Sequence, residues 1–375
     1  MFDQTVEKRE KICYYINTNT TDPLRRYNMR ILLIGGTGTI SMAITKLLLS
    51  GDNEVYLLNR GNRNTGFQGN INFITADISN EEETAEKIKD MEFDCVAEFI
   101  GFVPSQVERD FRLFCGKTKQ YIYISSASAY QKPPQGYLIT EETPLENPYW
   151  EYSRNKKACE EYLLERYRKD GFPVTIVRPS HTYDERSVPL GVHGTGGSWQ
   201  VVRRIMDGKP VIIHGDGSSL WTITHNSDFA KGFVGLMGNP LVLGEAFQIT
   251  SGESLTWNQI YKIIADALGV EFKPYYVTSR FLADVAPELD FEGSLLGDKS
   301  YSVIFDQRKL RRAVPTYIPE VPICRGLKQT VEYIMSHPEC QEEDPEFDAF
   351  CDCVIDYLEK AKASCRREVT KLLKN

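Results

Sequence analysis

No run in this chain of 375 residues is apolar for long enough to cross a bilayer, since a spanning helix needs about eighteen such residues. The first eleven residues, Met1–Lys11, carry both charge signs and lack the apolar centre of a secretion signal. Basic residues are outnumbered, 44 against 52, which leaves a formal net charge of -8. A chain of that charge has no general attraction for phosphate backbones or anionic lipid. Its nine cysteines are scattered and odd in number, which suits reduced thiols better than a disulfide framework. His337 with Cys340, then Cys351 with Cys353, match no zinc spacing. There is no internal repeat and no low-complexity tract. These absences lead us to expect a cytoplasmic protein with no membrane segment, no nucleic-acid partner and no metal.

What is present is an ordinary globular composition, 41% hydrophobic and 26% charged, over a length that suggests two domains or one large domain with a substantial insertion. From Met29 onward the pattern alternates. Strands are expected at Arg30–Ile34, Glu54–Leu58, Ile71–Thr75, Cys95–Ile100, Tyr121–Ser125 and Pro173–Val177. Helices are expected at Ser41–Leu49, Glu81–Lys89, Ser105–Cys115 and Tyr149–Lys169. That order indicates right-handed βαβ units in a parallel sheet covered on both faces, a Rossmann-type doubly wound α/β fold. After Arg178 the texture changes to short helices (Gln200–Asp207, Trp257–Leu268) and short strands (Val211–His214, Ala246–Ile249), read as a smaller α/β substrate domain. Phe347, Phe350, Cys351, Val354 and Leu358 recur at helical intervals behind Asp344-Pro345, a cap and first-turn proline. The expected plan is a polar extension over 1–28, a dinucleotide-binding domain over 29–180 with a return segment near 215–235, a substrate domain over 181–335, and a helical segment over 336–375.

Between the first strand and first helix stands Gly35-Gly36-Thr37-Gly38-Thr39-Ile40-Ser41. Glycines there permit a tight turn and close backbone approach to a pyrophosphate, and the helix start offers free N–H groups and a favourable dipole. Such a turn is informative only between a strand and a helix, and this one opens the βαβ series. A Rossmann site for NAD usually offers an acid at the end of the second strand. Here Asn59 and Arg60 stand there with Arg63 beyond, so the cofactor is NAD(P) with NADP favoured, because arginine can meet a 2′-phosphate.

Tyr152 and Lys156 lie four apart on a helix and so share a face. A tyrosine titrating near 10 is a poor base at neutral pH, and an adjacent cation favours its phenolate. Upstream, an apolar strand ends in Ser125-Ser126-Ala127-Ser128. Glycine turn, serine cluster and YxxxK helix in that order resemble the extended short-chain dehydrogenase/reductase family of NAD-dependent epimerases, dehydratases and reductases. The resemblance covers about 29–331. It implies that Ser126 hydrogen-bonds the reacting oxygen, that Tyr152 is the acid/base, and that Lys156 binds the nicotinamide ribose and lowers the tyrosine pKa. It also implies adenine contact at Asp77 and Ile78 and nicotinamide contact at Pro179, and a homodimer is what the family leads one to expect. Dehydratases of the family carry an acid after the catalytic serine or threonine, where this chain has Ala127. Sugar-nucleotide enzymes tend to place a diphosphate-clamping arginine where this chain has Trp221. His181 and His225 are further candidate substrate contacts, with Trp221. The expected activity is epimerisation or reduction of a sugar or sugar-nucleotide-like small molecule. The alternatives are an RNA-binding role, suggested by a resemblance to chloroplast stem-loop-binding proteins, and a regulatory dinucleotide sensor.

Overall fold

The run Ile31–Ile34 has no polar side chain to turn to water, so both its sides must be covered. In the computed structural model, which describes residues 28–61 and 66–374, this run lies in β1 (Arg30–Ile34) in the interior of a seven-stranded parallel sheet. Ile31 and Leu33 pack into one helical layer and Leu32 and Ile34 into the other, as a strand sandwiched between two layers requires. Residues 1–27 and Arg63 lie outside the described residues.

The chain continues through α1 (Thr39–Leu49), β2 (Glu54–Asn59), β3 (Ile71–Thr75), α2 (Glu81–Lys87), β4 (Cys95–Glu98), α3 (Pro104–Phe114), β5 (Tyr121–Ile124), the short β6 (Leu138–Ile139), α4 (Glu151–Asp170) and β7 (Val174–Pro179). Then come β8 (His181–Tyr183), α5 (Trp199–Met206), β9 (Val211–His214), β10 (Leu220–Trp221), β11 (Ile223–His225), α6 (Asn226–Leu236) and β12 (Ala246–Ile249). The spatial order of the sheet is β12-β7-β5-β4-β1-β2-β3. The chain leaves β1 for β2 on one side and returns to β4 on the other, which opens a crevice at their carboxyl ends, where ligands bind in open α/β sheets. Register aligns those ends: Ile34 stands opposite both Leu58 and Glu98, Glu98 opposite Tyr123, and Ile124 opposite Val177.

Two expectations change. Ala246–Ile249 belongs to the central sheet as its edge strand, paired with β7, rather than to the smaller domain. Behind it α6 sends Phe229, Phe233 and Leu236 into the core beneath α1. The chain thus returns to the nucleotide-binding layer after a long excursion, which local pattern cannot reveal because strand pairing is a long-range choice. In addition, β4 stops at Glu98, whose carboxylate turns back to accept the amide of Ile100.

The rest of the second half encloses its own core around Trp199, Trp257, Tyr261 and Leu327. The terminal helix Pro345–Leu372 is capped by Asp344, whose side chain accepts the Phe347 amide at 2.9 Å. Phe347, Cys351 and Val354 are buried against this core, while Cys353, two residues on and hence on another face, is exposed.

Candidate active site

The glycine turn has the backbone its sequence suggests. Gly35 sits at φ +82, where a Cβ would come 2.6 Å from Ile100 Cγ2. A Cβ on Gly36 would meet Leu57 Cδ2 at 2.4 Å, so neither position admits a side chain without movement. Ser41, in the place where the related motif has a third glycine, donates to Gly35 O at 2.8 Å and accepts from Gly38 N at 2.9 Å. The serine therefore ties the turn together. Thr39 and Ile40 open α1, and the first amides of a helix have no intrahelical acceptor.

This turn forms one end of a cleft of about 380 Å³ that also takes in Asn59, Arg60, Asp77, Ile78, Gln106 and Arg109. Asn59 closes β2 and accepts from Gly61 N at 2.9 Å. Asp77 accepts from Ser79 N, a bond that holds its carboxyl below the usual carboxylate range. Arg109 was not singled out in the sequence, because it lies on the buried side of an otherwise ordinary amphipathic helix, paired with Asp110 at 2.6 Å. A crevice closed by side-chain-free turn residues and ending in hydrogen-bonding groups fits a dinucleotide. Those residues would hold its pyrophosphate and adenosine ends.

At the neighbouring strand ends the serines follow β5. Ser125 N donates to Val177 O at 2.8 Å, and the Ser125 hydroxyl is buried with no partner among the described residues. Ser126 caps a short turn and shares a 2.9 Å hydroxyl contact with Ser128, which accepts from Ser153 at 2.8 Å. α4 carries the tyrosine and the lysine. Its buried face is Ser153, Lys156, Cys159, Glu160 and Leu163, and Gly171 ends it in the left-handed conformation at φ +70. Lys156 is 1% exposed, and its ammonium donates to Gly101 O and Ile124 O, both at 2.7 Å. An ammonium has three donors, so one remains for a ligand.

Tyr152 lies half-buried one turn earlier, between the rings of Trp150 at 5.0 Å and Phe102 at 6.4 Å. Burial raises its phenol above the ordinary value, a hydrogen bond with Ser126 opposes this, and the charge of Asp298 adds to the rise. The expected depression by Lys156 is not among these influences. The ammonium lies 5.7 Å from the ring centroid and is committed to two carbonyls.

Burial pushes the Lys156 ammonium down to about 8, against the pull of Cys159, Glu98 and Glu160. The group is therefore charged below that pH and loses its charge above it. If the charge assists turnover, kcat/KM falls as pH rises through about 8. A profile that stays flat across that range would show that the charge contributes nothing.

Next to Ser126 and Tyr152 opens a second cavity of about 270 Å³, lined also by Pro179, His181 and Trp221, and by Asp298 and Lys299. His181 is held down to about 3 by burial, reinforced by the positive fields of Lys299 and His193, so it is neutral at physiological pH. Trp221 both lines the cavity and stacks on Trp257 at 5.5 Å. His225, unlike His181 and Trp221, is not brought to the substrate cavity. It lines neither cavity, and its ring instead caps α6 by accepting from Ser227 N at 3.3 Å. Asp298 and Lys299 escaped the sequence reading because they end a π-helical segment, Glu292–Lys299, that shows neither helical period nor strand alternation. The only local signal was a charge pair inside an apolar stretch.

A family model described as the NAD dependent epimerase/dehydratase family matches residues 31–249, more than half the chain. A 2'-dehydrokanamycin reductase of Streptomyces kanamyceticus is 22% identical over 289 residues, 77% of this chain and 80% of that protein. The chloroplast stem-loop binding protein of 41 kDa b of Arabidopsis thaliana is 26% identical over 254 residues, 64% of this chain and 63% of its own length. Among solved structures, the UDP-glucuronic acid 4-epimerase of Bacillus cereus, in complex with UDP-glucuronic acid and NAD, superposes with a TM-score of 0.65 at 20% identity, covering 82% of this chain and 99% of that one. The likeness in structure establishes the shared fold.

Proposed function

The chain belongs to the NAD dependent epimerase/dehydratase family, an enzyme of the extended short-chain dehydrogenase type, and from that premise we propose that it epimerises or reduces a sugar or sugar-nucleotide-like substrate through Ser126, Tyr152 and Lys156. The observation that carries this reading is the mutual approach of the three residues at the carboxyl end of β5: Ser126 hydrogen-bonds Tyr152, and the Lys156 ammonium, bonded to Ile124 O, lies 5.7 Å from the Tyr152 ring. When bound, the nicotinamide supplies the capacity to accept or donate hydride. The protein's part is proton transfer and positioning. Ser126 donates a hydrogen bond to the substrate oxygen, and Tyr152 takes or returns its proton. Lys156, fixed by Gly101 and Ile124, uses its remaining N–H to hold the cofactor's ribose. Trp150, anchored by its indole N–H to Asp290 at 2.7 Å, shields Tyr152 from water.

Ala127 in the cavity wall offers no acid beside Ser126, which supports hydride chemistry without water elimination. The net charge of -8 weighs against RNA as partner. Stoichiometric NADPH consumption would identify a reductase, whereas an epimerase would leave the cofactor unconsumed.

NADP is the cofactor we favour, because β2 ends in Asn59 and Arg60 with no carboxylate there. Arg60→Ala is then expected to raise the KM for NADPH about tenfold, the scale of one lost charge-assisted hydrogen bond, with the KM for NADH unchanged. Equal effects on the two cofactors would remove the NADP assignment.

A further inference from the structure

The cavity beside Tyr152 has an imbalance of hydrogen-bonding groups. Lys299 is 8% exposed, yet its ammonium makes no hydrogen bond and no ion pair with the described residues. Its carbonyl, by contrast, accepts from His214 Nε2 and Trp257 Nε1, each at 3.1 Å, and from Ser219 Oγ at 3.3 Å. The backbone is thus clamped while the charged end is left without a partner. In the same cavity the indole N–H of Trp221 is buried and unsatisfied. Both groups are donors without a protein acceptor, and for the fully buried indole N–H that is unusual in a native protein.

The charges agree. Asp298, the one carboxylate lining this cavity, stands 3.7 Å from the buried Lys132, so its charge is answered from behind. Asp298 and Asp290 act on the Lys299 ammonium through space, but neither lies within ion-pair distance of it, so its N–H donors stay open to a ligand. Its field also lowers the pKa of His181 and His193, in both cases behind the larger effect of burial.

We propose that Lys299 and the Trp221 indole form an oxyanion subsite in the Tyr152 cavity, and that the substrate is a compact sugar bearing a carboxylate or phosphate. This rests on the redox reading of the same site. The volume of about 270 Å³ is small for a ligand pocket, so the anionic group and the reacting hydroxyl belong to one sugar unit rather than to its nucleotide.

The test is calorimetric titration of the full chain, loaded with oxidised dinucleotide, with glucose, glucose 6-phosphate, glucuronate and UDP. At least one anionic sugar should bind about tenfold or more tighter than glucose. The phosphate and carboxylate arms show which oxyanion the site takes. Lys299→Met should abolish that preference without weakening glucose, Lys299→Arg should retain part of it, and Trp221→Phe should reduce it a few-fold. The proposal fails if neither anion outbinds glucose, or if the preference survives Lys299→Met. It also fails if UDP alone binds through Lys299, which would place the anion on a nucleotide. Failure of the wild-type chain to bind NAD or NADP would instead sink the redox reading, and the preference itself is measured without turnover.

Discussion

Tyr152→Phe is expected to cut turnover by about a hundredfold to ten-thousandfold, the range typical of a lost general acid–base, while leaving dinucleotide affinity unchanged. The phenolic hydroxyl is the only group the substitution removes. The ring would keep its packing against Trp150 and Phe102, whose centroids lie 5.0 and 6.4 Å away. The backbone of α4 is held elsewhere, by Lys156 and Glu160. Fluorescence titration with NADPH and steady-state rates on the same preparation separate the two effects. A variant that turns over at the wild-type rate would exclude Tyr152 as the acid/base and assign that proton transfer to another group.

The largest effect on stability is expected one turn beyond Lys156. Glu160 is 1% exposed and holds Arg178, itself 5% exposed, through Nε at 3.0 Å and Nη2 at 2.6 Å. The guanidinium also donates to Tyr130 Oη at 3.2 Å and to Glu141 O at 3.0 Å. This pair ties α4, with its catalytic candidates, to β7. Removing one member of a buried pair strands the other charge and costs about 3–5 kcal/mol, so Glu160→Ala should lower the urea midpoint strongly. Glu160→Leu combined with Arg178→Met, which removes both charges and keeps the volume, should recover much of the loss. If the double variant is as unstable as the single one, the loss comes from packing and not from a stranded charge.

Much of the nucleotide-binding half could be read from residues alone because its signals are local. A strand buried on both faces needs an unbroken apolar run, and Ile31–Ile34 is one. A turn that admits no side chain must use glycine, as Gly35 and Gly36 do. Residues four apart on a helix share a face whatever the fold, so Tyr152 and Lys156 were legible as a pair. His225 misled because a histidine near a strand end has the same local signature whether it caps a helix or meets a substrate. Arg109 gave no signal, since its exposure to the crevice depends on how α3 lies against the sheet.

The sequence by itself determined the alternation of strands and helices, the glycine turn, and the order in which serine, tyrosine and lysine follow it. Each depends on neighbours within a few positions. Tertiary structure alone decided that Ala246–Ile249 returns to the central sheet, that Lys299, 147 positions after Tyr152, shares its cavity, and that Lys156 spends two of its donors on backbone carbonyls. Those outcomes depend on which distant segments pack together, and long-range packing is set by the burial and pairing of the whole chain rather than by any one stretch of it.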